Sequence, residues 1–172
     1  MTDNAAVISR FVDDLIEKAQ EFMLQDGYHD PMLFCLGSDH EIVLGMDIAE
    51  GANHRDAFAA MGAICAGQDI GTLLCVAFVG EGWMVKADEE FEHNPIPPSE
   101  HPDRVEVLTV TALDPHIGLV MMVTLLVGRD NNGRANVLLP YSDTRQNTGE
   151  AIESSTLSAF VASCRKQRAK LN

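Results

Sequence analysis

A proline-rich segment of the sequence carries two histidines and three carboxylates that could bind a metal ion. His93 and His101 stand there among Glu92, Glu100 and Asp103. Imidazole and carboxylate groups are ligands that zinc and manganese accept. The spacing matches neither the H-E-x-x-H pattern of a helical zinc site nor a C-x-x-C pair. A solvated acidic loop is therefore the favoured interpretation, and a metal site is the alternative.

A second group of residues could recognise a partner. Glu81 and Trp83 lie near the end of one predicted strand, and Arg104 and Glu106 begin the next. If these strands are neighbours, Glu81 can share a face with Arg104 or Glu106, with Trp83 beside them. An arginine–carboxylate contact next to an aromatic ring is typical of recognition sites. The favoured interpretation is that Arg104 only anchors the loop by pairing with Glu81 or Asp103, because structural ion pairs are the commoner case, and a recognition site is the alternative.

Signatures of nucleophilic and nucleotide chemistry are absent from the sequence. It has no G-x-S-x-G nucleophile elbow. Gly62 and Gly67 are followed by Gln68 and Asp69, where a phosphate-binding loop needs lysine and then serine or threonine. We therefore predict no catalytic residue and no cofactor.

The cysteines indicate a reducing compartment. They are widely spaced, unlike those of disulfide-rich secreted domains, and we interpret all of them as reduced, inert thiols. These residues are Cys35, Cys65, Cys75 and Cys164. The first residues lack the pattern of a secretory signal, so a cytoplasmic protein is expected.

Composition and charge exclude several classes of protein. The chain has 172 residues, of which 46% are hydrophobic and 22% charged, which is ordinary globular composition. Acidic residues outnumber basic ones 26 to 12, for a formal charge of −14. That balance argues against binding to nucleic acid and to anionic lipid. No segment approaches the ~20 apolar residues of a membrane span.

Hydrophobic periodicity and turn residues predict the elements that position these side chains. An amphipathic first helix ends at Gly27, and Asn53 caps a second helix through about Gln68. Asn147 and Glu150 form a capping box for a third helix. The predicted strands flank Ser38-Asp39, cover Leu73 to Ala87, and continue as Arg104–Leu113, Leu119–Arg129 and Ala135–Tyr141.

The order of elements is α-β-β-α-β-β-β-β-α, which predicts an α+β fold. We expect a single domain over residues 1–172, with an antiparallel sheet of about five to six strands and three helices. Residues 88–103 form an acidic, proline-rich loop in which no regular structure is predicted.

Parts of the sequence resemble known families. The strand ending in EGWMVK, the proline-containing loop and the sequence SEHPDRVE resemble a small family of uncharacterised bacterial and phage proteins. The element order is similar to that of roadblock/LC7 and other profilin-like domains, which implies a non-enzymatic dimerising or scaffold module. The order of a starting helix and hairpin, then Gly82-Trp83, then a later serine and aspartate also resembles JAB/MPN metalloproteases. However, Met84, Val85 and Lys86 follow Trp83 where those enzymes have a zinc-binding His-x-His.

These observations favour a non-enzymatic cytoplasmic binding or assembly module. Its partner is another protein or a second copy, and the two-sided apolar strand Leu119–Val127 leaves room for a homodimer interface. The alternative is a metal-dependent hydrolase or metal-binding protein. An acidic mimic of nucleic acid ranks third, because the acids are not arrayed in a stripe. The candidate binding residues are Glu81, Trp83, His93, His101, Arg104 and Glu106.

Overall fold

The computed structural model describes residues 4–48, 53–85, 96–147 and 156–171, with the side chains of 146 and 147 left out. Its helices are α1 (Asn4–Asp26), α2 (His54–Ala66) and α3 (Thr156–Leu171). Its strands are β1 (Met32–Gly37), β2 (Glu41–Gly45), β3 (Leu73–Met84), β4 (Val105–Asp114), β5 (Leu119–Arg129) and β6 (Ala135–Asn147). The predicted α+β class and element order are confirmed.

The six strands form one antiparallel sheet in the order β2-β1-β3-β4-β5-β6. In the β3–β4 pair, Glu81 lies opposite Leu108 and Trp83 lies opposite Glu106. Alternate residues of a strand point to the same face, and directly opposed residues share a face. Glu81, Trp83 and Glu106 therefore lie on one face of the sheet, as the sequence predicted.

Each face of the sheet is covered by helices over its own hydrophobic core. The apolar stripe of α1 packs on one face, where Val12 and Met23 are fully buried against residues such as Cys75 and Leu108. The other core lies among α2, α3 and the opposite face, and its fully buried side chains include Phe160. None of the helices in the described residues combines the length and apolar character that a membrane crossing needs.

Helices α2 and α3 approach each other closely at Gly62. A Cβ atom placed on Gly62 would lie 2.2 Å from the carbonyl oxygen of Phe160, well inside van der Waals contact. Only glycine permits this spacing, since its missing side chain lets the two backbones touch. This packing buries Cys65 of α2 and Cys164 of α3 in the same core.

Two boundaries differ from those predicted. Asn147 is the last residue of β6 and lies opposite Leu119 of β5, so its predicted role as a helix cap is wrong; Glu150 lies outside the described residues. The pairing with β5 outweighed the local capping pattern. Within the proline-rich loop, Pro98–Glu100 form one 3-10 turn. Pro98 is compatible with this turn because a proline is accepted at the first helical position. Residues 88–95 of that loop lie outside the described residues.

Candidate binding site

Strands β3, β4 and β5 bring two glutamates and one arginine together on the α1 face of the sheet. Arg129 Nε donates a hydrogen bond to Glu106 Oε2 at 2.7 Å, and Arg129 Nη2 donates to Glu106 Oε1. The same Nη2 lies 3.3 Å from Glu81 Oε2. The arginine therefore binds Glu106 at two points and Glu81 at one, an arrangement that its planar guanidinium favours.

Arg129 also joins this cluster to the end of α1. Its Nη1 donates to the carbonyl oxygens of Gly27, at 2.7 Å, and of Gly133, at 2.8 Å. Gly27 has φ +86 and its N–H bonds the carbonyl of Met23, so it ends the helix as predicted. A cation at this position complements the negative pole of the helix. Sequence reasoning did not single out Arg129, because nothing in its local pattern distinguishes it.

Glu81 is held from a second direction by the segment that follows α1. The backbone N–H of His29 donates to Glu81 Oε1. Burial raises the pKa of Glu81 above its usual value, and the nearby Glu106 raises it further. The His29 hydrogen bond and the charge of Arg129 oppose this increase. His29 is itself buried, and its Nδ1 donates to the Asp30 carbonyl at 2.7 Å.

Trp83 lies beside this cluster and is 44% exposed. The guanidinium carbon of Arg104 is 4.8 Å from the centre of the Trp83 ring system, which is a cation–π contact. The expected pairing of Arg104 with Glu81 or Asp103 is not among the ion pairs of the described residues. Glu81 is paired with Arg129 instead, and the Arg104 guanidinium lies over Trp83 and donates to the His101 carbonyl at 3.5 Å.

Two further aromatic side chains lie exposed at the same end of α1. Phe22 is 53% and Tyr28 57% exposed. The Phe22 ring packs edge-on against the His29 ring, with centroids 6.4 Å apart. The backbone N–H of His29 in turn donates to Glu81. We call Phe22, Tyr28, Trp83 and Arg104 the Trp83 surface. The exposed acidic residues close to them in sequence are Asp26, Asp30, Glu100 and Asp103.

The predicted metal ligands are only partly described. His93 lies outside the described residues. His101 is described, but its Nδ1 already accepts a hydrogen bond from the Asp103 backbone. Within the described ranges, no group of three or more His, Cys, Asp or Glu side chains is arranged to hold a metal ion.

All four cysteine thiols are free and buried. Burial and the negative charge of Asp114 raise the pKa of Cys75 to about 12. Cys65 hydrogen-bonds with Cys164 and Cys35. The contact with Cys164 lowers the pKa of Cys65, whereas the contact with Cys35 and burial raise it. The net effect raises the pKa of Cys65 to about 12. A protonated thiol is a poor nucleophile, which favours a packing role for Cys65 and Cys75.

Comparison with known protein families gives a match. The family model described as bacteriophage lambda protein ea47 matches residues 2–160. No curated protein and no solved structure matches the chain. The predicted likeness to a family of phage proteins is confirmed, whereas the likeness to roadblock/LC7 and profilin-like domains stays a prediction.

Proposed function

The chain belongs to the bacteriophage lambda protein ea47 family, and we propose that it is a non-enzymatic binding module that docks a basic protein partner through the Trp83 surface. The observation that carries this proposal is the exposed tryptophan with an arginine stacked on it. Tryptophan, tyrosine and arginine are the residues that most often dominate binding energy at protein interfaces. All three types are present on this surface.

The Trp83 surface rests on a rigid support. Trp83 is on the long strand β3, whose Glu81 is fixed by the His29 backbone and by Arg129. Glu106, directly opposite Trp83, is held at two points by Arg129. A surface already held in its binding geometry loses little conformational entropy when a partner docks. The two glutamates and Arg129 therefore act as the support of the site, and the aromatic side chains make the contact.

Charge favours a basic partner over a second copy. The formal charge of the chain is −14, and four exposed carboxylates, named above, lie close in sequence to the Trp83 surface. Such a field accelerates association with a basic protein and opposes association of two like copies. A homodimer and a cytoplasmic location remain secondary proposals, and neither is needed for this one.

Tryptophan fluorescence tests the proposal directly, because Trp83 is the single tryptophan of the chain. The probe is a short peptide of alternating arginine and leucine, and a glutamate–leucine peptide of equal length is its control. We expect the basic peptide alone to shift the emission in a saturable way. Tyr28→Ala should weaken its binding about tenfold, the loss of a typical interface anchor.

The matched control variant is Val43→Ala on β2, where the side chain is 56% exposed and is in register, through Phe34 of β1, with Ala77, six residues before Trp83 along β3. It should leave peptide binding unchanged. Equal binding of the acidic peptide, or equal loss of binding in Val43→Ala and Tyr28→Ala, would contradict the proposal. Sedimentation of the chain alone tests whether a second copy occupies this surface instead. A stable dimer that dissociates in Tyr28→Ala would show that the partner is a second copy and would contradict the proposed basic partner.

A further inference from the structure

A cleft of about 430 Å³ lies on the opposite side of the sheet from the Trp83 surface. One wall is a single face of α3, since its residues recur at the helical spacing of three, four and seven. The other walls are the turn after β4 and the first turn of α2. The lining residues are Arg55, Leu113, Pro115, Ser158, Val161, Ala162 and Arg165.

The charge of this cleft is the reverse of that of the chain. Two arginines line it, one from α2 and one from α3, and none of the described lining residues is acidic, although acidic residues outnumber basic ones 26 to 12. The nearest acidic neighbour along β4 is Asp114. It is buried, and its Oδ1 accepts the backbone N–H groups of His116, at 2.8 Å, and Ile117, at 3.4 Å. Its carboxylate is therefore engaged by the turn.

The two arginines are positioned differently. Arg165 Nη2 donates to the Pro115 carbonyl at 2.8 Å, which fixes its guanidinium at the cleft. Arg55 lies in the first turn of α2, where Asn53 caps the helix by accepting the Arg55 N–H at 3.0 Å. The N-terminal end of a helix carries partial positive charge, but Asp56 in the same first turn offsets part of it, so the two arginine side chains supply the main positive charge of the cleft. Leu113, Val161 and Ala162 give the cleft an apolar wall.

We propose that this cleft binds a small organic anion, a carboxylate or phosphate monoester whose apolar part packs against Leu113 and Val161. Arg165 and Arg55 bind the anionic group, because guanidinium groups match carboxylate and phosphate oxygens in geometry and charge. The volume is within the range of small-molecule sites. The site is separate from the Trp83 surface and does not depend on the function proposed for that surface.

Titration of the isotopically labelled protein with phenyl phosphate tests the proposal, with benzoate as the carboxylate probe and phenol as the uncharged one. We expect phenyl phosphate, benzoate or both to shift the amide signals of residues 113, 161 and 162 in a saturable way, and phenol to bind at least tenfold more weakly. Whichever anion binds more tightly identifies the preferred head group. Arg165→Gln and Arg55→Gln should each weaken binding about tenfold.

Arg10→Gln is the matched control, since its side chain is 86% exposed on α1; it should leave the affinity unchanged. Thermal unfolding of each variant shows that it is folded before the titration. The proposal is overturned by an absence of saturable shifts at millimolar anion, by phenol binding as tightly as the anions, or by unchanged affinity in both arginine variants of the cleft.

Discussion

Arg129 of β5 and Glu106 of β4 form a two-point ion pair at the α1 face of the sheet. Arg129 Nε and Nη2 each donate to one carboxylate oxygen of Glu106, and the two side chains are only 29% and 14% exposed. The remaining guanidinium hydrogen bonds reach Glu81, Gly27 and Gly133. One side chain therefore ties together β3, β4, the β5–β6 turn and the end of α1.

Replacing Arg129 should destabilise the fold. Arg129→Gln leaves two partly buried glutamates without their cation and removes the donors to two carbonyl groups. We expect the free energy of unfolding to fall by about 2–3 kcal/mol, measured by urea denaturation. Arg10→Gln is the control. Its pair with Asp14, at 4.0 Å, is exposed, so its loss should change stability by less than about 0.5 kcal/mol. Equal effects of the two substitutions would show that Arg129 is not a structural anchor.

The raised pKa of Glu81 predicts a pH dependence of stability. The folded state holds the proton of Glu81 at pH values where the unfolded chain, with a pKa near 4.5, has lost it. Stability from this group is therefore fully present below pH 4.5 and falls as the pH rises through the higher folded pKa.

Glu81→Gln should remove that part of the dependence. The measurement is the difference in unfolding free energy between wild type and Glu81→Gln. It is made by urea denaturation at pH values from 4.5 upward through the folded-state pKa of Glu81. Glu17→Gln, an exposed substitution on α1, is the control. A wild-type stability that rises relative to Glu81→Gln with increasing pH would mean that Arg129, and not burial, dominates the titration of Glu81.

The buried thiols should resist modification in the folded protein. Burial raises the pKa of Cys75 to about 12, and the pKa of Cys164 is raised by its hydrogen bond to Cys65 and by burial. Ellman's reagent at pH 8 should therefore react slowly with native protein. It should titrate all four cysteines once the chain is unfolded in guanidinium. Rapid reaction of a native thiol would identify an accessible cysteine and contradict the packing described for it.

Gly62 should tolerate no side chain. In Gly62→Ala the new Cβ meets the Phe160 carbonyl oxygen at 2.2 Å, so α2 and α3 must separate, at a cost of about 3 kcal/mol. Gly67→Ala is the control: Gly67 has φ −81, and its Cβ would lie 3.6 Å from the nearest atom. That substitution should change stability by less than about 1 kcal/mol. Thermal unfolding of both variants measures the difference. Equal unfolding midpoints for Gly62→Ala and Gly67→Ala would show that α2 and α3 are not in backbone contact.

A binding module that needs no metal should be purified without one. We expect elemental analysis of untagged protein, prepared without chelator, to find less than stoichiometric zinc, iron or manganese. His101 Nδ1 is already engaged, so His101→Ala should not change the metal content. One equivalent of metal per chain that is lost in both His93→Ala and His101→Ala would instead support the metal-dependent alternative.

Features determined over short stretches of sequence were predicted well. Gly27 ends α1 with a left-handed backbone, Asn53 caps α2, and the turn at 130–133 joins β5 to β6. The shared face of Glu81, Trp83 and Glu106 also follows from local alternation, once β3 and β4 are taken as neighbours. In each case the determining residues are close in sequence or in adjacent strands.

The centre of the cluster could not be predicted in this way. Arg129 bonds Gly27 across 102 residues and Glu81 across 48, and no local spacing encodes such contacts. Asn147 shows the opposite error: its local pattern is that of a helix cap, but pairing with Leu119 keeps it in β6. The position of Arg129 and the pairing of Asn147 both depend on the register of β5 with its neighbours. That register is determined by the whole sheet and not by the local sequence.

The contacts of Arg129 and Arg134 with the end of α1 have a consequence for synthesis on the ribosome. Arg134 donates to the Gln25 carbonyl across 109 residues, so the site that receives α1 is completed long after α1 is made. At roughly 5–20 residues per second, the interval is about 5–20 s. During it the apolar side of α1 has no finished sheet to pack on and is available to a chaperone. Helix α1 is thus translated well before the strand whose turn completes its binding site.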